Sequence, residues 1–452
     1  MTPEFLAQLP SPSALLAQMQ PVLEELYQRK HVFPQSDPIV RPIAEAGLAS
    51  SEFGSLWKQA LDASTVLLSE EQFGHMDTFV HPVAAVSDAL IGALNNNPLW
   101  REISPYASAV EEYLVAEFRQ RLGLDAEAQG IFCSGGSLAN LTGYFAGCGG
   151  FDSDLERDNV WFFCSEAAHA SVKKSAAVLG ISKSRRCLIP CDNEGRLDPQ
   201  ALRKEMATVA RKDRRLIINA VVGSTLHGAV DPLQEIAQIA QEFCAWLHVD
   251  AVYGGNLCYS PTHSGLLKGI ERADSLSFAP QKWMFVPRLC AMVYVRSAEN
   301  FHSALRWPMS YSASGNDSRG QWGIQGSRRP DALTLYFTLQ ALGTRQLGEW
   351  IDASVQHTRD FHDFLNRSKL FQPLHQPQMN LQLFDLGDGS RNRAFQEELT
   401  KRNGPWVSLA RWRNRDVLRA VLLHPDTHTP VFQELDKAAS EFLHPSKTAT
   451  IV

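Results

Sequence analysis

The sequence predicts an α/β protein with a mostly parallel central sheet, helices on both faces, and a small α+β lobe at the C-terminal end. Three observations predict it. Between about residue 130 and residue 295, short apolar runs alternate with helix-period segments, as in a parallel sheet covered on both sides. Several of those runs end on polar or small residues with chemistry of their own. After about residue 345, amphipathic helices mix with short strands instead.

Residues 1–70 read as short helices broken by Pro10, Pro12, Pro21, Pro34, Pro38 and Pro42, with helical periodicity over Ala14–Arg29 and Ser50–Leu68. An arm so interrupted cannot bury its apolar face alone and is expected to pack on another lobe or on a second subunit. The body begins near residue 71 with the polar loop Phe73–Asp77, a helix over Pro82–Leu94 and the turn cluster Asn95–Trp100. Ser104 and Pro105 then open a helix as N-cap and first helical residue.

Strands are predicted over Gly130–Cys133, Asn159–Cys164, Arg186–Pro190, Leu216–Val222, Trp246–Val249, Ser275–Phe278 and Cys290–Val295. Helices are predicted over Leu138–Phe145, Ala170–Leu179, Pro199–Val209 and Pro232–Phe243. The last lobe holds helices over Trp350–Leu365, Arg391–Lys401 and Val431–Phe442, and strands over Leu381–Leu386 and Val417–Leu423. The expected division is an arm over 1–70, a large domain over 71–345 and a small domain over 346–452.

The bulk numbers fit a globular chain with ample core. Of 452 residues, 44% are hydrophobic and 20% charged, and 43 basic against 49 acidic side chains leave a net charge of −6. No basic run suggests nucleic acid as partner, and no apolar run reaches membrane-spanning length. The first twenty residues lack the basic start and apolar centre of a signal peptide, so a cytoplasmic location is expected. The eight cysteines are scattered; Cys187 and Cys191 stand close, without a matching Cys/His pair, so buried thiols are expected and no metal site.

The chemistry centres on Ser275–Met284, where Lys282 sits among apolar and aromatic residues; it reads as a reactive amine or as a lysine snorkelling from a surface strand. Burial disfavours a charged amine, and a neutral amine is a nucleophile that forms a Schiff base with an aldehyde. Pyridoxal phosphate uses such a lysine together with a carboxylate for its ring nitrogen. Asp250, at the end of an apolar strand, is the candidate carboxylate; a strand-end aspartate also caps turns. The small-residue turn Ser134-Gly135-Gly136-Ser137 lets a backbone approach an anion at a helix N-terminus, or serves packing alone. His169 follows a strand at the edge where α/β sheets bind ligands; it reads as a ring-stacking group or a helix cap. Gly223-Ser224-Thr225 ends another strand, as a binding edge or a turn.

In this order, the pieces resemble the group II pyridoxal-phosphate-dependent amino-acid decarboxylases, the family of the aromatic-L-amino-acid, glutamate and cysteine-sulfinate enzymes. The matching segments are Ser104-Pro105 with Glu111, Gly135-Gly136-Ser137 with Asn140, Ser165–Val172 around His169, and Gly223-Ser224-Thr225 with Gly228 and Asp231-Pro232. His248-Val249-Asp250-Ala251, Ala273–Trp283, Gln325–Arg329 and Leu418-Arg419-Ala420 continue the match. The resemblance implies the type I aminotransferase-like fold, pyridoxal 5'-phosphate as cofactor, and a homodimer with interface active sites. It implies decarboxylation of an L-amino acid with Lys282, His169, Asp250 and Tyr311 as catalytic residues. It places Gly135, Gly136, Ser137, Ser224, Ser277 and Gln281 at the cofactor beside Lys282, His169 and Asp250. Phe73, His75 and Asp77 fall in the segment lining the family's substrate pocket, and Asn97 and Leu99 in one that reaches the neighbour's site.

The departures are specific. Gln281 stands where a histidine is usual and Ala279 where an asparagine is common, which shifts the expected phosphate contact to Ser277. In the loop over 308–324, alignment puts Arg319 near the place of the tyrosine that protonates Cα, and Tyr311 is the phenol at hand. The alternative reaction is an aldehyde-forming oxidative deamination or an aminotransferase-like one.

Overall fold

The computed structural model describes residues 11–30, 32–40, 43, 48–150, 158–306, 319–427 and 429–444. Its framework is a seven-stranded sheet made of β2 (Gln129–Cys133), β3 (Val160–Ser165), β4 (Arg186–Ile189), β5 (Arg215–Val221), β6 (Trp246–Ala251), β7 (Ser275–Phe278) and β8 (Ala291–Val295). The spatial order is β2-β8-β7-β6-β5-β3-β4. Strands β4, β3, β5, β6 and β7 run parallel, while β8 is antiparallel to both of its neighbours. The inner strands are apolar runs because both faces are covered; in β5 every residue after Arg215 is buried, whereas the edge strand β4 is buried only at Ile189.

Helix α5 (Gly136–Cys148) follows β2 and lies across β6, β7 and β8. Two glycines let it come so close. A Cβ on Gly143 would stand 2.5 Å from the His248 ring, and one on Gly147 2.7 Å from the Trp246 ring. An interior helical glycine costs about 1 kcal/mol relative to alanine, so this close packing is achieved against propensity. Helices α6 (Ala170–Val178), α7 (Pro199–Val209) and α8 (Leu233–Glu242) make the next three crossovers, and short 3₁₀ turns join β6 to β7. Ahead of them come α1 (Pro12–Gln28), α2 (Phe53–Asp62), α3 (Pro82–Leu94) and α4 (Pro105–Arg121). Between the sheets run α9 (Ala298–Leu305), α10 (Asp331–Leu342) and the long α11 (Thr344–Arg367).

The second sheet has five strands in the order β1-β11-β12-β10-β9. Four come from the C-terminal part: β9 (Gln372–Pro373), β10 (Leu381–Asp385), β11 (Trp406–Trp412) and β12 (Arg415–Val421). Helices α12 (Gly389–Lys401) and α13 (Thr429–Leu443) cover it. The fifth, β1 (Gln72–Phe73), pairs parallel with β11, Phe73 opposite Val407. Phe73 is fully buried there, with the rings of Phe361 and Phe432 at 6.3 and 6.4 Å.

Most predicted elements stand within one to three residues of their predicted ends. The exceptions have physical reasons. The helix expected over Ser50–Leu68 is a 3₁₀ turn at Ser50–Glu52 followed by α2, and it stops at Asp62, before a Ser-Thr pair that disfavours helix. Ser104 caps α4 by backbone position only: its buried hydroxyl makes no hydrogen bond. Strand β6 runs through Asp250 to Ala251, so the carboxylate sits inside the sheet, with Asp250 paired to Ser277. β1, β9, β11, α9 and α10 were not expected from the sequence.

One buried ion pair ties the start of the fold together. Arg328 bonds Glu111 of α4 at 2.9 Å, and both are almost fully buried. The same guanidinium donates to the carbonyls of Phe132 and Pro98, while Glu111 also accepts the N–H of Phe132. The end of β2, which leads into the turn at Ser134, therefore hangs on this pair.

Candidate active site

The carboxyl ends of β2, β5 and β6, with the turn after β7, open on a cavity of about 400 Å3. Its wall includes Gly135, Gly136, Ser137, His169, Thr225, Asp250, Gln281 and Lys282 from the large sheet's loops. His75, Met76 and Asp77 enter from the loop after β1, and Arg419 from β12.

Lys282 lies in a 3₁₀ turn after β7. Its amine donates to the Met76 carbonyl at 3.1 Å and stands 3.6 Å from the Asp77 carboxylate, which Arg288 meets at 2.9 Å. Burial pushes the Lys282 amine below the ordinary lysine range, and Asp77 pulls it part of the way back. A larger neutral fraction makes it a better nucleophile towards a carbonyl.

Asp250 is buried on the opposite part of the wall. Asn140 donates to it at 2.9 Å, its near neighbour Val252 through N–H at 3.2 Å and Ser277 at 3.4 Å. Burial raises the Asp250 carboxyl, and the Asn140 bond opposes that rise. A carboxylate so held favours a proton on a basic group placed against it.

The turn before α5 is built for close approach. Gly135 adopts φ +87°, which favours glycine, and a Cβ on Gly136 would stand 2.6 Å from Val252. The first-turn N–H groups of α5 have no partners within the helix, so this end of the cavity can take an anion. The Ser134 N–H is already used: it donates to Gln325, whose side chain also bonds the Ser134 hydroxyl.

His169 is both N-cap and cavity wall. Its Nδ1 accepts the Ser171 N–H at 3.2 Å, which leaves Nε2 to carry the proton in the neutral ring. Arg419 is buried and spans three segments, donating to the carbonyls of Thr225 and Gly74 and to the Ser408 hydroxyl. Burial pushes its guanidinium down to about 10.

Several expected site residues stand elsewhere. The Ser224 hydroxyl turns away from the cavity to accept the Ala229 N–H, and Thr225 takes the place on the wall. Ser277 is fully buried behind Asp250 rather than on the wall, so its hydroxyl serves the carboxylate. Phe73 is core of the small sheet. Asn97 bonds Ser327 and accepts from Leu99 and Arg328; both it and Leu99 lie outside this chain's own cavity, the site expected for them being a neighbouring subunit's. Arg319 lies away from it too, donating to the Gly130 carbonyl and stacking on Trp322. Tyr311 and most of the loop over 308–324 lie outside the described residues. Tyr253, Val252 and Leu289 also line the cavity; sequence reasoning missed them, and only the short spacing of Val252 and Tyr253 from Asp250 pointed there.

Comparison with known proteins places this geometry in context. Residues 63–386 match the family model described as the pyridoxal-dependent decarboxylase conserved domain. An L-2,4-diaminobutyrate decarboxylase of Rhizobium meliloti is 32% identical over 325 residues, which cover 70% of this chain and 65% of that protein. An aromatic-L-amino-acid decarboxylase of Bacillus atrophaeus is 29% identical, covering 77% of this chain and 75% of the other. Among solved structures, mouse CSAD superposes with a TM-score of 0.88 at 21% identity, covering 95% of this chain and 99% of that one. That likeness establishes the fold.

Proposed function

The chain belongs to the family of pyridoxal-dependent decarboxylases, and from that premise we propose that it removes the α-carboxylate of an L-amino acid as CO2, leaving the amine. The observation that carries the reading is convergence. A partly buried amine, a buried carboxylate and a helix N-terminus with a glycine turn face one cavity of about 400 Å3. These residues fit pyridoxal 5'-phosphate, because each end of that molecule finds its chemical complement there. When bound, the cofactor supplies the electron sink for the bond broken at the substrate Cα.

The side chains divide the remaining work. Lys282 is the amine that would hold the cofactor's aldehyde, and Asp250 the carboxylate that would keep a proton on its ring nitrogen. Gly135, Gly136 and Ser137 offer N–H groups to the phosphate, and Gln281 and Thr225 close the wall nearby. Gln281 is itself fixed, its Oε1 accepting the Cys290 N–H at 2.6 Å. His169, with its proton on Nε2, lines the cavity where it would cover the cofactor ring and would hold a proton for exchange. Arg419 gives a substrate carboxylate a fixed positive charge. His75, Met76 and Asp77 line the side-chain end, with Asp77 already balanced by Arg288 and Lys282. The proton returned to Cα is assigned to Tyr311 or His169.

A homodimer is part of the proposal. Val86, Leu90 and Leu94 leave more than half of their surface exposed along one stripe of α3, and Tyr106 and Tyr113 do so on α4. Such a stripe on a soluble protein calls for a partner. Asn97 and Leu99 follow directly after α3 and would then lie beside the second subunit. A cytoplasmic location is likewise inferred; among the described residues no helix is long and apolar enough to cross a membrane.

Named relatives are decarboxylases, so the aldehyde-forming alternative is not favoured. The deciding experiment incubates the purified chain and cofactor with pooled L-amino acids and follows CO2, amine, aldehyde and ammonia. Amine and CO2 in equal amounts are expected. Aldehyde with ammonia and no amine would overturn the reaction, and a Lys282→Ala variant that still fixes cofactor under borohydride would overturn the role of Lys282.

A further inference from the structure

Behind Asp250 runs a chain of buried polar side chains that the reaction itself does not use. The Trp246 indole donates to the Ser275 hydroxyl at 2.8 Å. Ser275 Oγ is 2.8 Å from His248 Nδ1, and His248 Nε2 is 3.0 Å from Asn140 Oδ1. Asn140 Nδ2 then donates to Asp250 Oδ2 at 2.9 Å. Of these, Asn140, His248, Asp250 and Ser275 are buried.

The direction of every bond in this chain is forced. An indole N–H only donates, and an ionised carboxylate only accepts. Asn140 must therefore turn its amide N–H towards Asp250 and its oxygen towards His248. His248 must carry its proton on Nε2, and Ser275 must give its hydroxyl proton to Nδ1 in preference to the more distant Gly143 carbonyl at 3.3 Å. Burial pushes the His248 imidazole down to about 3, so it stays neutral and keeps this single tautomer. The ring is clamped as well: Tyr144 packs edge-on at 4.5 Å, and α5 carries glycine at 143, where any side chain would strike it. Hydrogen bonds aligned head to tail polarise one another, and here all of them point at one carboxylate.

We propose that His248, acting through Asn140, is a positioning residue that holds Asp250 ionised and aimed into the cavity, and thereby sets how firmly the cofactor's ring nitrogen is protonated. The proposal rests on the cofactor reading above. Asp250 is faced by Asn140 from α5, Ser277 from β7, its neighbour Val252, and the His169 imidazole on the cavity wall. His248 stands one bond behind Asn140, and the fold fixes its tautomer without reference to any ligand.

The test titrates the full-length apo-protein with pyridoxal phosphate and records both affinity and the pH midpoint of the bound cofactor's visible band. His248→Leu removes the donor to Asn140, whereas His248→Gln keeps a donor on one side and an acceptor on the other. We expect His248→Leu to weaken cofactor binding about tenfold and to move the spectral midpoint by about one pH unit, with His248→Gln restoring most of both. Asn140→Ala breaks the same chain one bond nearer the carboxylate and guards against a leucine variant that fails to fold. It should reproduce the shift, and the double variant His248→Leu/Asn140→Ala should be no worse than Asn140→Ala alone. An unmoved midpoint in Asn140→Ala, or equal losses in the leucine and glutamine variants, would overturn the relay and leave the cofactor reading intact. Failure of the unaltered chain to bind the cofactor would overturn both.

Discussion

Arg328→Met should be among the most damaging single changes in this chain, although Arg328 lies outside the cavity. The guanidinium makes two contacts with Glu111, at 2.9 and 3.2 Å, and reaches two backbone carbonyls besides. Removing it leaves the Glu111 carboxylate buried, with the Phe132 N–H as its one remaining bond among those described. Stranding one partner of a buried pair typically costs about 3–5 kcal/mol. The double variant Arg328→Met/Glu111→Gln removes the stranded charge and keeps an oxygen for the Phe132 N–H. It should recover about 2 kcal/mol or more of that loss, the balance being the two orphaned carbonyls at about 1 kcal/mol each. Urea unfolding at fixed cofactor concentration, with both single variants and the double, gives the coupling energy directly. A loss below about 1 kcal/mol in Arg328→Met would refute the reasoning, because an exposed ion pair would give as little.

Three further changes read out other parts of the structure. Gly136→Ala should weaken cofactor binding about tenfold through overpacking against Val252, by about 1–3 kcal/mol, and Val252→Ala in the same chain should restore much of it. Arg419→Lys keeps a charge but cannot span Thr225 and Gly74 at once; kcat/KM should fall at least about tenfold, the worth of one charge-assisted bond. His227 and His375 are each pushed by burial from 6.5 down to about 4, so both fold as neutral rings. Their contribution is intact above about pH 6.5 and drains away as the pH falls through 4, and urea midpoints should drop steeply across that window. His227→Phe should flatten the drop; an unchanged profile would count against the assignment.

The order of strands and helices was readable because the inner strands of the large sheet are apolar on both faces, and period and length then agree. Lys282, Asp250 and His169 were readable for a different reason, each being a costly or reactive group placed at a strand end. What the sequence could not disclose were choices between neighbours. Ser224 and Thr225 are both small hydroxyl residues at the same turn, and only the tight loop that ties Ser224 to Ala229 decides which one faces the cavity. Phe73 looked like a pocket aromatic because it precedes His75 and Asp77. Its alternation with Gln72 is too short to announce a strand, and the partner, β11, lies more than 300 residues away. Asn140 was legible as part of a turn motif, whereas its bond to Asp250 depends on α5 crossing β6 at glycine distance.

The two-residue strand β1 has a mechanical consequence. It is sewn into the small sheet, yet His75, Met76 and Asp77 follow at once as a wall of the cavity. The carbonyl that accepts the Lys282 hydrogen bond is thus carried on the C-terminal module, as is Arg419. Any tilt of that module would drag both away from the lysine together. The small sheet is therefore a jaw of the site, and severing it would leave the reactive amine facing half a socket.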